Sequence, residues 1–202
     1  MKSKLLKKLC AISLAALMIG GAGLTEIGSF VSASLPIYAA TAETPASSFQ
    51  YEENDDGNIT ITKFIGSETE VVIPSTINGK KVTSIGRMAF GYRTSLTSVT
   101  IPDSVTIIKE DAFYSCTSLN SVTIPDSVTS IGNMVFYGCK GLVDEKGFVI
   151  VKNVLYDYYG NDAAVIISDS VVSIGNYAFD GCTSLSSVMI PDSVTSIGYG
   201  AF

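Results

Sequence analysis

Histidine is absent from this 202-residue sequence, and that absence excludes more chemistry than any other feature of its composition. Without it there is no Ser–His or Cys–His nucleophile pair, no His-containing zinc site, and no general base of the kind most used near neutral pH. Tryptophan is missing too. Basic residues are few: 13 Lys+Arg stand against 19 Asp+Glu, a net charge of −6 with a pI of about 4.6. With neither a basic stripe nor a basic tail, nucleic acid and anionic membrane are excluded as the main partner. Charged residues make up 16% of the chain and apolar residues 47%, enough apolar surface for a core and too much for a disordered chain. Such a length holds one compact domain or one short repeat array.

Catalytic spacings are missing as well. The sequence contains no Cys-x-x-Cys, no Gly-x-Ser-x-Gly and no Ser-x-x-Lys of the penicillin-binding kind. Nothing singles out a carboxylate pair of the glycosidase type. No catalytic residue, no cofactor and no metal site is therefore expected.

No apolar run reaches the ~20 residues needed to cross a bilayer. The longest extends from Leu9 to about Leu24, behind Lys2, Lys4, Lys7 and Lys8. A charged start, a short apolar middle and a small-residue exit describe a secretory signal peptide over residues 1–42, with a retained anchor as the alternative. Two exits fit, Val31-Ser32-Ala33 and Ala40-Thr41-Ala42. Removing residues 1–42 takes away those four lysines and Glu26, which leaves 9 basic and 18 acidic residues and a net charge of −9. The expected product is an acidic exported chain, secreted or held at the cell surface, with no membrane span in its mature part.

What the sequence does have is a repeat. Val99-Thr100-Ile101-Pro102-Asp103-Ser104-Val105 recurs 23 residues later as Val122 to Val128, again as Val165 to Val171, and 23 further on as Val188 to Val194. A fifth copy begins at Val71-Val72-Ile73-Pro74 and carries an insertion around Asn78-Gly79-Lys80-Lys81. Each copy runs on to an Ile-Gly-x-x-Ala-Phe stretch or a near variant of it, ending at Phe90, Phe113, Phe136, Phe179 and Phe202. Val-Thr-Ile alternates at period two, as a short strand with two inward side chains does. Proline then ends the strand, and Pro-Asp-Ser supplies a turn. One copy offers too little apolar surface to offset the entropy of ordering it, so copies must stack, each covering the next. The Gly86, Gly132, Gly175 and Gly198 column suggests a positive-φ position, with Lys109 as the exception.

Leu96-x-x-Val99-x-Ile101-Pro102-x-x-Val105-x-x-Ile108, followed by Ala112-Phe113-x-x-Cys116, resembles the BspA-type leucine-rich repeat. The resemblance covers about residues 71–202 except those near 143–164. It implies a β-dominated repeat solenoid: a right-handed superhelix with one short parallel strand per turn, short helical or 3-10 corners, and β-hairpin insertions. It also implies an exported bacterial surface protein that recognises or adheres to extracellular protein, on host matrix or on a neighbouring cell.

The expected organisation follows. A hairpin cap over 43–70 precedes repeats over 71–142; a second hairpin over 143–164 precedes repeats over 165–202. Phe64–Ile73 aligns without gaps on Tyr158–Ile167, which points to a duplicated unit, each copy opening with a hairpin. The array breaks off at Phe202 in mid-repeat, read either as a fragment or as an end available for end-to-end self-association. Cys116, Cys139 and Cys182 share one column and are expected as small stacked side chains rather than a disulfide framework. Asp103, Asp126, Asp169 and Asp192 form another, with turn capping weighed against a calcium ladder. The partner surface is expected at the outward position of each strand, Val72, Thr100, Thr123, Ile166 and Met189. Tyr156, Tyr158 and Tyr159 are a second candidate patch, with hairpin packing as the alternative. A noncatalytic targeting or spacer region of a longer secreted or wall-bound protein is the other functional reading.

Overall fold

The computed structural model describes residues 42–202; the leader reading falls, apart from Ala42, outside them. The chain opens with an antiparallel hairpin, β1 (Phe49–Glu53) and β2 (Ile59–Phe64). The first coil has β3 (Glu70–Val72), then a short hairpin of β4 (Thr76–Ile77) with β5 (Lys80–Ile85). Two regular coils follow, β6 (Ser98–Thr100) with β7 (Ile107–Ile108) and β8 (Ser121–Thr123) with β9 (Ser130–Ile131). A second hairpin, β10 (Phe148–Val151) and β11 (Val154–Tyr158), restarts the pattern. Two more coils complete it, β12 (Ala164–Ile166) with β13 (Ser173–Ile174) and β14 (Ser187–Met189) with β15 (Ser196–Ile197). The whole is a β-solenoid of about six turns, and its described helix is confined to 3-10 turns at Ala46–Ser48 and Lys140–Leu142.

Each regular coil contributes two strands rather than one. The Val-Thr-Ile strands pair in parallel, β3-β6-β8 and β12-β14, with residues 23 or 28 apart in register. On the other side β2-β5-β7-β9 and β11-β13-β15 form a second parallel ladder, two residues deep where the coils are regular. The sequence showed Val105-x-x-Ile108 returning along that side, but a two-residue strand has no periodicity to display.

The corners are built of turns, with one 3-10 turn, at Lys140–Leu142, ending the third. Each carries two left-handed residues four apart: Met88 and Tyr92, Asp111 and Ser115, Met134 and Gly138, Tyr177 and Gly181. With these alternations, every second N–H points along the stack. Met88, Phe90 and Tyr92 donate to the carbonyls of Glu110, Ala112 and Tyr114 at 3.3, 2.8 and 2.8 Å, and the next corner repeats the pattern. Coil-to-coil bonds thus offset the 1–2 kcal/mol that a left-handed non-glycine residue costs. The Gly86 column is corrected by the same geometry, because none of Gly86, Gly132, Gly175 and Gly198 has positive φ. Their constraint is close approach. A Cβ on Gly132 would lie 2.5 Å from Glu110 N, and one on Gly86 would lie 2.7 Å from the Ile61 carbonyl. Lys109 keeps the column's bond, N–H to the Ile85 carbonyl at 2.8 Å.

The core is a column of rings. Phe64, Phe90, Phe113 and Phe136 stack at 5.3, 4.9 and 5.5 Å, and Phe49 on β1 closes the first end at 5.5 Å from Phe64. At the second hairpin the column steps sideways. Phe136 meets Tyr156 edge-on at 5.3 Å, while Tyr158 starts a new stack with Phe179 and Phe202. The described structure therefore has two blocks, each opening with a hairpin, and no ladder joins β9 to β11 or β8 to β12.

Candidate functional site

The outward strand positions fall on two separate sheets. Val72, Thr100 and Thr123 stand in register on β3-β6-β8; Ile166 and Met189 stand in register on β12-β14. Between them lies β10, paired only to β11, so the five do not form one continuous row. Thr100 and Thr123 are exposed, as are Ile166 (66%) and Met189 (62%). Val72 is half-buried, because Thr44 lies along that edge: its N–H donates to the Val72 carbonyl at 2.8 Å, and its hydroxyl accepts from the Val72 N–H at 3.0 Å. Covering that edge removes an invitation to unwanted strand pairing. The first block therefore offers a hydroxyl-rich face, continued by Ser98 and Ser121, with the exposed Glu70 in register at its edge; the second offers an apolar one.

The aspartate column does not cap the turns. Among the described residues no three of Cys, Asp and Glu come together as a metal set. Asp103, Asp126, Asp169 and Asp192 point into solvent, and Asp126 meets Lys152 Nζ at 3.2 Å. The turns are closed by backbone bonds such as Val105 N–H to the Pro102 carbonyl at 3.0 Å. The adjacent serine ties three of the four turns to the coil before: Ser127 and Ser193 donate to the Val105 and Val171 carbonyls at 2.8 Å and Ser104 to the Ser75 carbonyl at 3.2 Å, while Ser170 pairs with Ser168 of its own turn. A serine hydroxyl can donate to a stacked carbonyl, and a carboxylate cannot.

Of the two readings of the tyrosines, packing holds for Tyr156 and Tyr158, which are buried in the ring columns. Beside them sequence reasoning missed a polar centre. Asp157 is 5% exposed. Its carboxylate accepts from the Gly138 N–H at 3.1 Å, the Tyr159 hydroxyl at 2.6 Å and the Tyr158 N–H at 3.0 Å. Gly138 holds the corner position at which Tyr92 and Ser115 donate to a carbonyl of the next coil. Where the stack steps sideways, the Asp157 carboxylate takes that carbonyl's place. Burial holds its pKa above the usual carboxylate value, against the pull of Tyr159, Gly138, Tyr158 and Lys140. Burial first, and then Asp157, push the Tyr159 and Tyr137 hydroxyls up. A cleft of about 240 Å³ opens here, lined by Tyr137, Asp157, Tyr159, Asp162, Asp180 and Cys182 among others. One signal for it was present: the duplicated-unit alignment sets Asp157 against Lys63, a reversal of charge.

Cys116, Cys139 and Cys182 are free thiols. Each donates to the carbonyl of the preceding ring in the core columns: to Phe90 at 3.0 Å, Phe113 at 3.1 Å and Tyr158, at the end of β11, at 3.6 Å. The Cys116 thiol alongside, and burial, hold Cys139 neutral. Burial, with Asp157 and Asp180 behind it, pushes Cys182 up. Alkylation of the native protein, mapped by mass spectrometry, should thus label Cys182 slowly, with a pH midpoint above that of an ordinary thiol. Cys116 and Cys139 should react only on unfolding. Rapid labelling of Cys139 in the native state would contradict this packing.

Among the described residues no helix is long and apolar enough to cross a membrane. A family model described as the BspA type leucine-rich repeat region matches residues 64–146 and 149–202, in six copies. Among solved structures, the chain is similar to the T. pallidum leucine-rich repeat protein TpLRR, at 34% identity and a TM-score of 0.54, covering 80% of this chain and 66% of that one. It is similar to a leucine-rich cell surface protein from Faecalibacterium prausnitzii A2-165, at 34% identity and a TM-score of 0.52, covering 80% of this chain and 46% of that one. The chain thus spans about two thirds of the first protein's length and under half of the second's. No curated protein matches it. The repeat columns, the stacked coils and the family match agree: the chain belongs to the BspA-type leucine-rich repeat family.

Proposed function

We propose that this is an exported bacterial surface protein whose solenoid recognises an extracellular protein, with no catalysis and no cofactor. The observation that carries the reading is the Thr100–Thr123 face: two exposed threonines in register on a three-stranded parallel sheet, flanked by Ser98 and Ser121. Repeat solenoids present such stacked side chains as extended binding surfaces, and recognition needs only shape and hydrogen-bond complementarity. Ile166 and Met189 add an apolar patch on the second block. Adhesion to host matrix or to a neighbouring cell is the form this recognition takes. A second reading, a targeting or spacer region of a longer exported protein, is favoured by the greater length of both similar structures.

The test is binding of the purified protein to immobilised extracellular-matrix proteins, mucins and glycans, beside a Thr100→Glu/Thr123→Glu variant. Saturable binding should fall about tenfold or more in the variant, equivalent to at least ~1.4 kcal/mol, with circular dichroism and Tm unchanged. Binding that survives both charges would move the site off this face. No binding to any surface would leave the spacer reading in its place.

A further inference from the structure

The two blocks repeat one structure, so a residue in one has a counterpart in the other. Phe64 corresponds to Tyr158, and the corner Ile85–Leu96 corresponds to Ile174–Leu185. Three residues past the corner phenylalanine stands Arg93 in the first block and Cys182 in the second. The backbones there are alike, each N–H donating to the corner phenylalanine's carbonyl at 3.2 Å. The Arg93 guanidinium lies 5.5 Å over the Phe64 ring and donates to the Phe64 carbonyl. In the second block the thiol of Cys182 points at the matching carbonyl of Tyr158, and the space beyond it is the 240 Å³ cleft.

The walls have changed with the loss of the arginine. Asp157 stands where the first block has Lys63, Asp180 where it has Gly91, and Asp162 keeps the acidic character of Glu68. Tyrosines replace Phe64 and Ile65. All three carboxylates line the cleft, together with Tyr137, Tyr158 and Tyr159, and among the described residues no lysine or arginine lines it. Lys140 lies outside the lining, its Nζ 5.4 Å over the Tyr159 ring. The first block fills this position with its own guanidinium. The second block has the aromatic wall and extra negative charge, but a side chain too short to reach into the space.

We propose that this cleft binds the guanidinium of an arginine side chain presented by a protein partner, seated where Arg93 sits in the first block. A guanidinium suits it better than an ammonium. It is planar, weakly hydrated, stacks on tyrosine rings, and can give two parallel N–H bonds to one carboxylate, with Asp180 and Asp162 available at the mouth. The inference rests on the protein-recognition reading and adds the chemistry of one contact to it.

The experiment is an NMR titration of the protein with Nα-acetyl-arginine amide, with the lysine and norleucine amides as comparisons. The arginine amide should give saturable amide shifts centred on Gly160–Asp162 and Asp180–Cys182, the lysine amide weaker ones, and the norleucine amide none. Asp162→Asn/Asp180→Asn should weaken the binding about tenfold or more. Cys182→Arg, which supplies the missing guanidinium in cis, should abolish it, while Cys182→Ser should keep it. Absence of saturable shifts at the cleft would overturn the proposal, as would equal shifts in Cys182→Arg with its fold intact. If Cys182→Arg does not fold, the Asn pair decides: unchanged affinity there overturns it. Thr100→Glu/Thr123→Glu should leave arginine-amide binding unaltered, so failure of the strand face and failure of this cleft are read separately.

Discussion

Replacing Phe113 by alanine is expected to lower the unfolding free energy by about 3–5 kcal/mol, the range for a fully buried aromatic whose site cannot collapse. Phe113 has no exposed surface and stacks between Phe90 at 4.9 Å and Phe136 at 5.5 Å. Neighbouring coils are fixed by backbone bonds on three sides, so they cannot close over the gap. Because a solenoid is held only by nearest-neighbour interfaces, losing one central ring weakens two interfaces at once. Tyr114→Ala, in the half-buried outer tyrosine row beside it, should have a much smaller effect. Urea unfolding followed by circular dichroism measures both. A loss under about 1 kcal/mol for Phe113→Ala would mean that the ring column is not the core.

Asp157→Asn is expected to be the next most damaging change, at about 1–3 kcal/mol, because an amide NH₂ would face a donor where the carboxylate now accepts. The three donors are the N–H groups of Gly138 and Tyr158 and the hydroxyl of Tyr159. Its effect should depend on pH in a defined direction. The folded-state pKa is raised above 3.8, chiefly by burial. A carboxyl raised in this way adds stability while protonated; that contribution is complete below the unfolded value and is lost as pH rises through the folded one. The gap between wild type and Asp157→Asn should therefore be widest in acid and narrow as pH climbs from about 3.8. Paired urea melts across that range give the sign directly. A gap that widens with pH would mean that the hydrogen bonds, not burial, dominate this carboxylate.

The repeat was legible because it is written in every coil: one apolar column per inward position, repeated until no other fold satisfies it. The hairpins were legible from their turns. Lys152 and Asn153 both adopt positive φ in the two-residue loop, and Gly57 does so in the longer one. The corners were not. Met88, Asp111, Met134 and Tyr177 share a left-handed conformation but no residue type, because the bonds to the next coil impose it. The glycine column misled for a related reason: it records the spacing between coils rather than a backbone angle. The outward strand residues were found by alternation alone, yet their division between two sheets was hidden. That division depends on β10 pairing with β11 and with neither β8 nor β12, a choice made by the hairpin turn. Asp157 and its cleft escaped because one aspartate among 19 acidic residues carries no signal until an internal counterpart is set beside it.

The most direct test of protein recognition through the strand face is hydrogen–deuterium exchange of the protein with and without a saturating bound partner. Added protection is expected over Ser98–Thr100 and Ser121–Thr123, with the ladder at Ile107–Ile108 and Ser130–Ile131 on the opposite side unchanged. Protection confined to that opposite ladder, with the threonine strands exchanging as in the free protein, would contradict it.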